Sequence, residues 1–179
     1  MSHYLLDACT LVNLHCGWAG LRQLRTFGES WSIGETALKE AIFVRDFGAG
    51  GEICKVTLDP VAVIAEGRLQ TLSLADAKEH ASLIEFAFEL DDGEAEALSL
   101  ALHRRRVLLT DDRLSVRVAS APSVAVETMG TPEILMAWVN ANPKSRQVLP
   151  EVVHRISVLG PFQLRKSSPH YPWWQGLLA

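Results

Sequence analysis

Apolar positions in this chain fall into short continuous runs that alternate with longer stretches in which Leu, Val, Ile, Ala or Trp recur every three or four residues. The first kind of pattern suits a buried strand and the second an amphipathic helix. Tyr4 to Leu6 reads as a strand. After Asp7 comes a helix carrying Leu11, Leu14, Trp18, Leu21 and Leu24, with Thr10 available to cap it and Gly28 near its end. The arrangement repeats as a strand at Trp31 to Ile33 and a helix from about Glu35 to Phe47, which runs out in Gly48-Ala49-Gly50-Gly51. A short helix closed by Gly67, a strand at Leu69 to Leu74 and a helix from Ala75 to Glu89 follow. The next helix, "DDGEAEALSLALHRRR", is rich in strong helix formers. Then come the strand "VLLT" at 107–110, a helix from about Arg113 to Ala119, a strand near "SVAVE", and helices in "TPEILMAWVNAN" and "QVLPEVVHRISVLG".

Alternating strands and helices predict an α/β fold of three layers, α/β/α, around a mostly parallel central sheet buried on both faces. Functional groups of such a sheet collect at the carboxyl ends of its strands. Asp7 sits at the end of the first strand, and Asp111 and Asp112 at the end of "VLLT". If those strands are neighbours, the carboxylates meet at one edge. Two adjacent carboxylates closing so greasy a run repel each other and raise one pKa unless a cation or hydrogen-bond donors absorb the charge.

Composition narrows the class. With 48% apolar and 21% charged residues over 179 positions, the chain has the profile of a globular protein with a sizeable core. Its 17 basic and 21 acidic side chains leave a formal charge of −4, so contact with nucleic acid or an anionic surface has to be local. Cys9, Cys16 and Cys54 fit neither a disulfide framework nor a thiolate zinc site, and suit a reducing cytoplasm. The N-terminus lacks the pattern of a secretory signal, and no apolar run approaches the ~18 residues of a membrane helix.

Motifs exclude several chemistries. There is no GxxxxGK[ST] or strand-following GxGxxG for phosphates, no GxSxG nucleophile elbow and no HExxH zinc motif. An aspartate nucleophile of the haloacid-dehalogenase type would want a second Asp two residues after Asp7, where Cys9 stands. A set of carboxylates remains: Asp7, Glu40, Glu94, Asp111 and Asp112. Hard oxygen ligands of this kind suit Mg²⁺ or Mn²⁺, which activate water and stabilise charge on a phosphodiester. Each acid also has an ordinary duty open to it. Glu40 could face water, Glu94 could form a capping box with Asp91, and Asp111 or Asp112 could cap the following helix.

The order "YLLDACTLVNL", "ETALKEAIF", "DDGEAEALSLALHRRRVLLTDDRLSVRVA" resembles the PIN-domain ribonucleases, including the toxin halves of bacterial and archaeal toxin–antitoxin pairs, over roughly residues 4–140. The "GEAEALSLA" and "TDDRLSVRVA" stretches resemble one subgroup of that family. The resemblance implies a metal site of Asp7, Glu40, Glu94 and Asp112, with Asp111 in reserve. Glu94 stands where the family often has Asp, and Cys9 where Ser, Thr or Asn is common, which touches the hydrogen bonds around the ligands rather than the ligands themselves. On this reading Asp112 turns toward the ion while Asp111 caps the helix or reaches the metal through water.

The resemblance further implies an endoribonuclease dependent on Mg²⁺ or Mn²⁺, RNA as substrate, homodimers and, for a toxin, an antitoxin partner. A non-catalytic PIN-like module that binds protein or RNA is the alternative, and a metal phosphohydrolase acting on small phosphate esters a third reading. Arg113, next to Asp112, is the expected substrate contact. "HRRRV" at 103–107 could touch phosphate or simply face the negative end of its helix. Residues 1–142 are expected to form the catalytic domain. Residues 143–179 would form a helical, aromatic extension whose Tyr171, Trp173 and Trp174 pack on the domain or on a partner.

Overall fold

The computed structural model describes residues 3–28 and 30–179. Strand β1 (His3–Leu6) leads into α1 (Ala8–Trp18), and β2 (Ser30–Gly34) into the short α2 (Glu35–Glu40). After β3 (Phe43–Phe47) and β4 (Ile53–Thr57) come α3 (Pro60–Gly67), β5 (Leu69–Leu72), α4 (Ala77–Phe86) and α5 (Asp92–Arg104). The chain continues through β6 (Val107–Leu109), α6 (Arg113–Ala119), β7 (Thr128–Met129), α7 (Thr131–Ala141), α8 (Leu149–Leu159) and α9 (Tyr171–Leu178). Five strands form one parallel sheet in the order β5-β2-β1-β6-β7, with β1 at its centre.

Strand alternation sorts the sheet's side chains between two cores. Leu6, Ile33 and Leu109 face one side, packed among residues of α1, α7 and α8; Leu5 and Leu108 face the other, against α4, α5 and α6. Leu5, Leu6, Leu108 and Leu109 are at most 1% exposed, which is the burial that a parallel sheet covered on both faces demands. The expected three-layer α/β/α fold is therefore present.

Four expectations need correction: the first helix stops at Trp18, where Ala19 adopts φ +52°, and Leu21 and Leu24 lie beyond it in or before a 3₁₀ turn at Arg22–Thr26. The helix foreseen from Glu35 to Phe47 stops at Glu40; beyond it β3 and β4 form a separate antiparallel hairpin, in which Phe43 pairs with Thr57 and Phe47 with Ile53. Ile42, Phe43, Val44 and Phe47 are β-branched or aromatic residues, and Gly51, at φ +84°, supplies a turn conformation open to glycine. The strand foreseen at "SVAVE" is the two-residue β7 further on, because Ala125 adopts φ +51° and breaks the extended run. Helix α1 is capped by Asp7, whose carboxylate accepts from the Thr10 amide at 2.7 Å, and not by the Thr10 side chain.

The C-terminal helices share the main core. Leu149, Val152, Val153, Ile156 and Leu159 of α8 are buried with Leu11 and Leu14 of α1. Contact is closest at Gly17, where a Cβ would lie 2.7 Å from Ile156 Cγ1. On α9, Trp174 is 3% exposed and its Nε1–H donates to Ser157 Oγ at 3.3 Å. Truncating Ile156 should therefore leave a cavity between α1 and α8. Ile156→Ala is expected to lower unfolding free energy by ~2–5 kcal/mol in urea titrations. Val148→Ala, at a residue that is half exposed, should change it by no more than ~0.5 kcal/mol.

Candidate metal centre

The strand-end acids come to one edge of the sheet because the central strands are neighbours. β1 and β6 pair in parallel, with Leu6 opposite Leu109, and the Asp7 amide extends that ladder by donating to the Leu109 carbonyl at 3.0 Å. Asp7 thus stands beside Thr110, one and two positions ahead of Asp111 and Asp112, at the carboxyl edge of the sheet. Glu94 enters from the first turn of α5, where the Asp91 carboxylate caps the helix by accepting from the Glu94 amide at 2.9 Å. Glu94, Asp111 and Asp112 line one open cleft of about 570 Å³, together with Cys9, Asn13 and Arg113.

Hydrogen bonds hold the three aspartates in different ways. Buried Asp7 accepts from the Thr10 amide and, through both oxygens, from the Cys9 thiol at 3.2 Å. Cys9 therefore supplies the hydrogen bond that a hydroxyl residue would give. Asp111 accepts from Asn13 Nδ2 at 2.9 Å, from the Thr131 amide at 2.8 Å and from the Thr131 hydroxyl, so it ties α1 to the start of α7. Asp112 caps α6: its Oδ1 accepts from the Leu114 and Ser115 amides at 2.7 and 2.9 Å, which leaves Oδ2 without a hydrogen bond among the described residues. The capping duty thus falls on Asp112 and not on Asp111, as the N-cap position directly before Arg113 requires. The side chains of Glu40 and Glu94 carry no hydrogen bond among the described residues.

Crowded negative charge shows in the ionisation of the group. Burial pushes Asp7 above the usual carboxylate range, against the hydrogen bonds that favour its anion. Burial, then the charges of Asp112, Asp91 and Asp7, raise Glu94 to about 7. Asp111 goes up to about 6, again by burial first, with Asp7 adding to it. Glu40 is raised by burial and by Asp91, Asp92, Glu96 and Asp7. Asp7 is the common neighbour in this list. Hard oxygen donors that raise one another, with one free carboxylate oxygen and two unrestrained glutamates on flexible stems, fit Mg²⁺ or Mn²⁺ by their chemistry. Among the described residues, no three His, Cys, Asp or Glu side chains lie close enough together to hold an ion as they stand.

Glu40 stands at the rim. It is exposed at the last turn of α2, and its carboxylate rests against the start of α5 because Gly93 has no side chain; a Cβ there would lie 2.5 Å from Oε2. Sequence reasoning missed the residue that holds α2 in place: buried Glu96, which accepts from the Thr36 amide at 2.8 Å. It also missed Asn13 and Thr131. Their signal was available only in part, as a polar residue in an apolar helix and a hydroxyl at a helix start. The cluster "HRRRV" is not at the site. It precedes β6, at the opposite end of the strand from Asp111, where Arg104 pairs with Glu79 at 2.7 Å and Arg106 donates to Ser30 Oγ at 3.0 Å.

A parallel α/β/α sheet with a carboxylate cluster at the ends of its central strands is the architecture of a PIN domain. Residues 54–166 match the family model described as DUF3368: PIN domain, and the chain belongs to that family, whose members are typically nucleases. The matched segment takes in Glu94, Asp111, Asp112 and Arg113. Among solved structures the fold is similar to that of a PilT N-terminus domain protein from the archaeon Sulfolobus solfataricus, with a TM-score of 0.51 at 13% identity over 76% of this chain and 93% of that one. No curated protein matches the chain. No helix among the described residues is long and apolar enough to cross a membrane.

These raised carboxylates give the metal-free fold a pH dependence of definite sign. A carboxyl group raised on folding favours the native state in its protonated form; the benefit is complete below about pH 4 and is lost as pH climbs through the folded values, about 6 for Asp111 and about 7 for Glu94. Glu79, held down to about 2 by Arg104, acts in a lower window and does not interfere. In chelator-treated protein the melting temperature should fall between pH 5 and 7.5, and Glu94→Gln should shrink that fall. A wild-type profile no steeper than the variant's would contradict this assignment.

Proposed function

We propose that the chain is an endoribonuclease dependent on Mg²⁺ or Mn²⁺, hydrolysing phosphodiester bonds of RNA. The observation that carries this reading is the placement of Asp7 and Asp112 at the ends of paired central strands, with Glu94 coupled to both by charge. Asp7, Glu94 and Asp112 would hold the ion, with Glu40 and Asp111 bordering it. When bound, the ion supplies an activated water and stabilises the charge that develops on the phosphate oxygens.

The chain's own residues do the rest. Thr10 and Cys9 orient the Asp7 carboxylate, and the α6 amides fix Asp112 by one oxygen while the other stays available to ligate. Arg113, exposed at the start of α6 and lining the cleft, is placed to meet a phosphate of the substrate. The choice of RNA rests on resemblance to PIN ribonucleases. So do the finer assignments of a toxin role, an antitoxin partner and a homodimer.

A non-catalytic PIN-like module is the second reading, favoured by the open spacing of the acids. One experiment separates the two. Purified protein is incubated with a labelled single-stranded RNA in Mn²⁺ or Mg²⁺, alongside Asp7→Asn and Asp112→Asn; asparagine keeps the α6 cap, since it caps as well as aspartate. Cleavage is expected in the wild type, should vanish with chelator, and should drop on the order of 10²-fold or more in each variant. Circular dichroism checks that the variants fold. Intact RNA in the wild type, with both metals and a range of sequences, would leave the binding module as the better account.

A further inference from the structure

The cleft extends beyond the acids. A second hollow of about 340 Å³ opens beside it, and the two share Asp111, Arg113, Phe162, Gln163 and Arg165 on their walls. The second hollow lies between the start of α7 and the segment 160–170, which crosses from α8 to α9. This segment is pinned at both ends. Phe162 meets the buried Trp174 edge-on at 5.1 Å, and His170 Nε2 lies 2.6 Å from Glu133 Oε1, whose other oxygen accepts from the Gly130 amide at 3.1 Å. The hollow is therefore a wall of ordered structure, at the lower end of the roughly 300–1,000 Å³ of ligand sites.

Its chemistry differs from that of the acidic centre. Arg113 projects from α6 and Arg165 from the crossing segment; both are exposed, and neither forms an ion pair among the described residues. Arg104, Arg117 and Arg155, by contrast, are held by Glu79, Glu89 and Asp46. Two guanidiniums without ion pairs and a half-buried aromatic ring, Phe162, line this hollow together with Asp111 and Glu133, and Glu94 and Asp112 line the adjoining cleft: cations for phosphate, a ring for a base, acids for a metal.

We propose that the smaller hollow is the subsite for the nucleotide next to the cleaved phosphate of a single-stranded RNA, with Arg165 and Arg113 gripping its phosphate and Phe162 stacking its base. The assignment rests on the nuclease reading for what happens in the acidic centre, but its own content is binding. It makes residues 160–170 part of the substrate cleft rather than a tail behind it.

The test uses the full chain. Binding of a fluorescent ten-nucleotide single-stranded RNA is followed by anisotropy over a salt series, with Mn²⁺ present and Asp7→Asn as the non-cleaving background. Steady-state cleavage is measured without that background. Arg165→Ala should weaken binding on the order of tenfold and lower the salt slope by about 0.7, the value for one lost phosphate contact on a single strand. It should raise KM while kcat stays within about twofold. Arg165→Lys should restore part of the affinity, and Arg22→Ala, at an exposed position far along the chain, should change nothing. Phe162→Leu should abolish discrimination between an RNA carrying a base at that position and one carrying an abasic ribose. If Arg165→Ala binds and cleaves as the wild type does, the subsite is wrong while the nuclease reading stands. If RNA binds with the Arg165 dependence and is never cut, the subsite stands and the nuclease reading falls. If the wild type neither binds nor cuts, both fall.

Discussion

Burial of carboxylates at the ends of two paired, apolar strands is the constraint on which the rest of this molecule depends. β1 and β6 lie side by side because both are greasy on both faces, and their register brings Asp7 against Thr110 with Asp111 and Asp112 next in line. Desolvation raises Asp7, and desolvation followed by neighbouring charge raises Glu94, Glu40 and Asp111. A fold with no use for a cation would gain stability by replacing one of these acids with a neutral residue. Holding them instead is a standing cost, one that the proposed metal site accounts for.

The surrounding polar groups limit that cost without removing it. Cys9 and Thr10 satisfy Asp7, Asn13 and Thr131 satisfy Asp111, and the first amides of α6 satisfy one oxygen of Asp112. The result is a division of labour among three aspartates that are adjacent in space. Asp111 is consumed by joining α1 to α7, Asp112 is half consumed, and the Glu94 side chain is left without a hydrogen bond among the described residues. The further from a cap or tie an acid stands, the freer it is to answer an arriving ion.

Much of this was legible in the sequence because each strand ends on its chemistry. The run before Asp7 and the run before Asp111 are short, apolar and followed at once by a helix, so their type and direction can be read from periodicity alone. α6 and the first turn of α5 were equally plain, since the capping aspartates sit where caps belong. The β3–β4 hairpin was not, because Ala37, Leu38, Ala41 and Ile42 continue a helical spacing into residues whose β-branching and turn glycines favour strands. Which of two adjacent aspartates caps and which ties was hidden for a different reason. The cap follows from where α6 starts, and the tie from Asn13 and Thr131, partners far from Asp111 along the chain. The role of Cys9 was visible as a departure, but only the geometry makes its thiol a donor to both Asp7 oxygens.

Anomalous scattering from a crystal grown with Mn²⁺ tests the central claim most directly. The expected result is a peak bounded by Asp7, Glu94 and the free Oδ2 of Asp112, with the Glu94 side chain turned toward it. A crystal saturated with Mn²⁺ whose peaks all lie elsewhere, with Glu94 still pointing into an empty cleft, would contradict it.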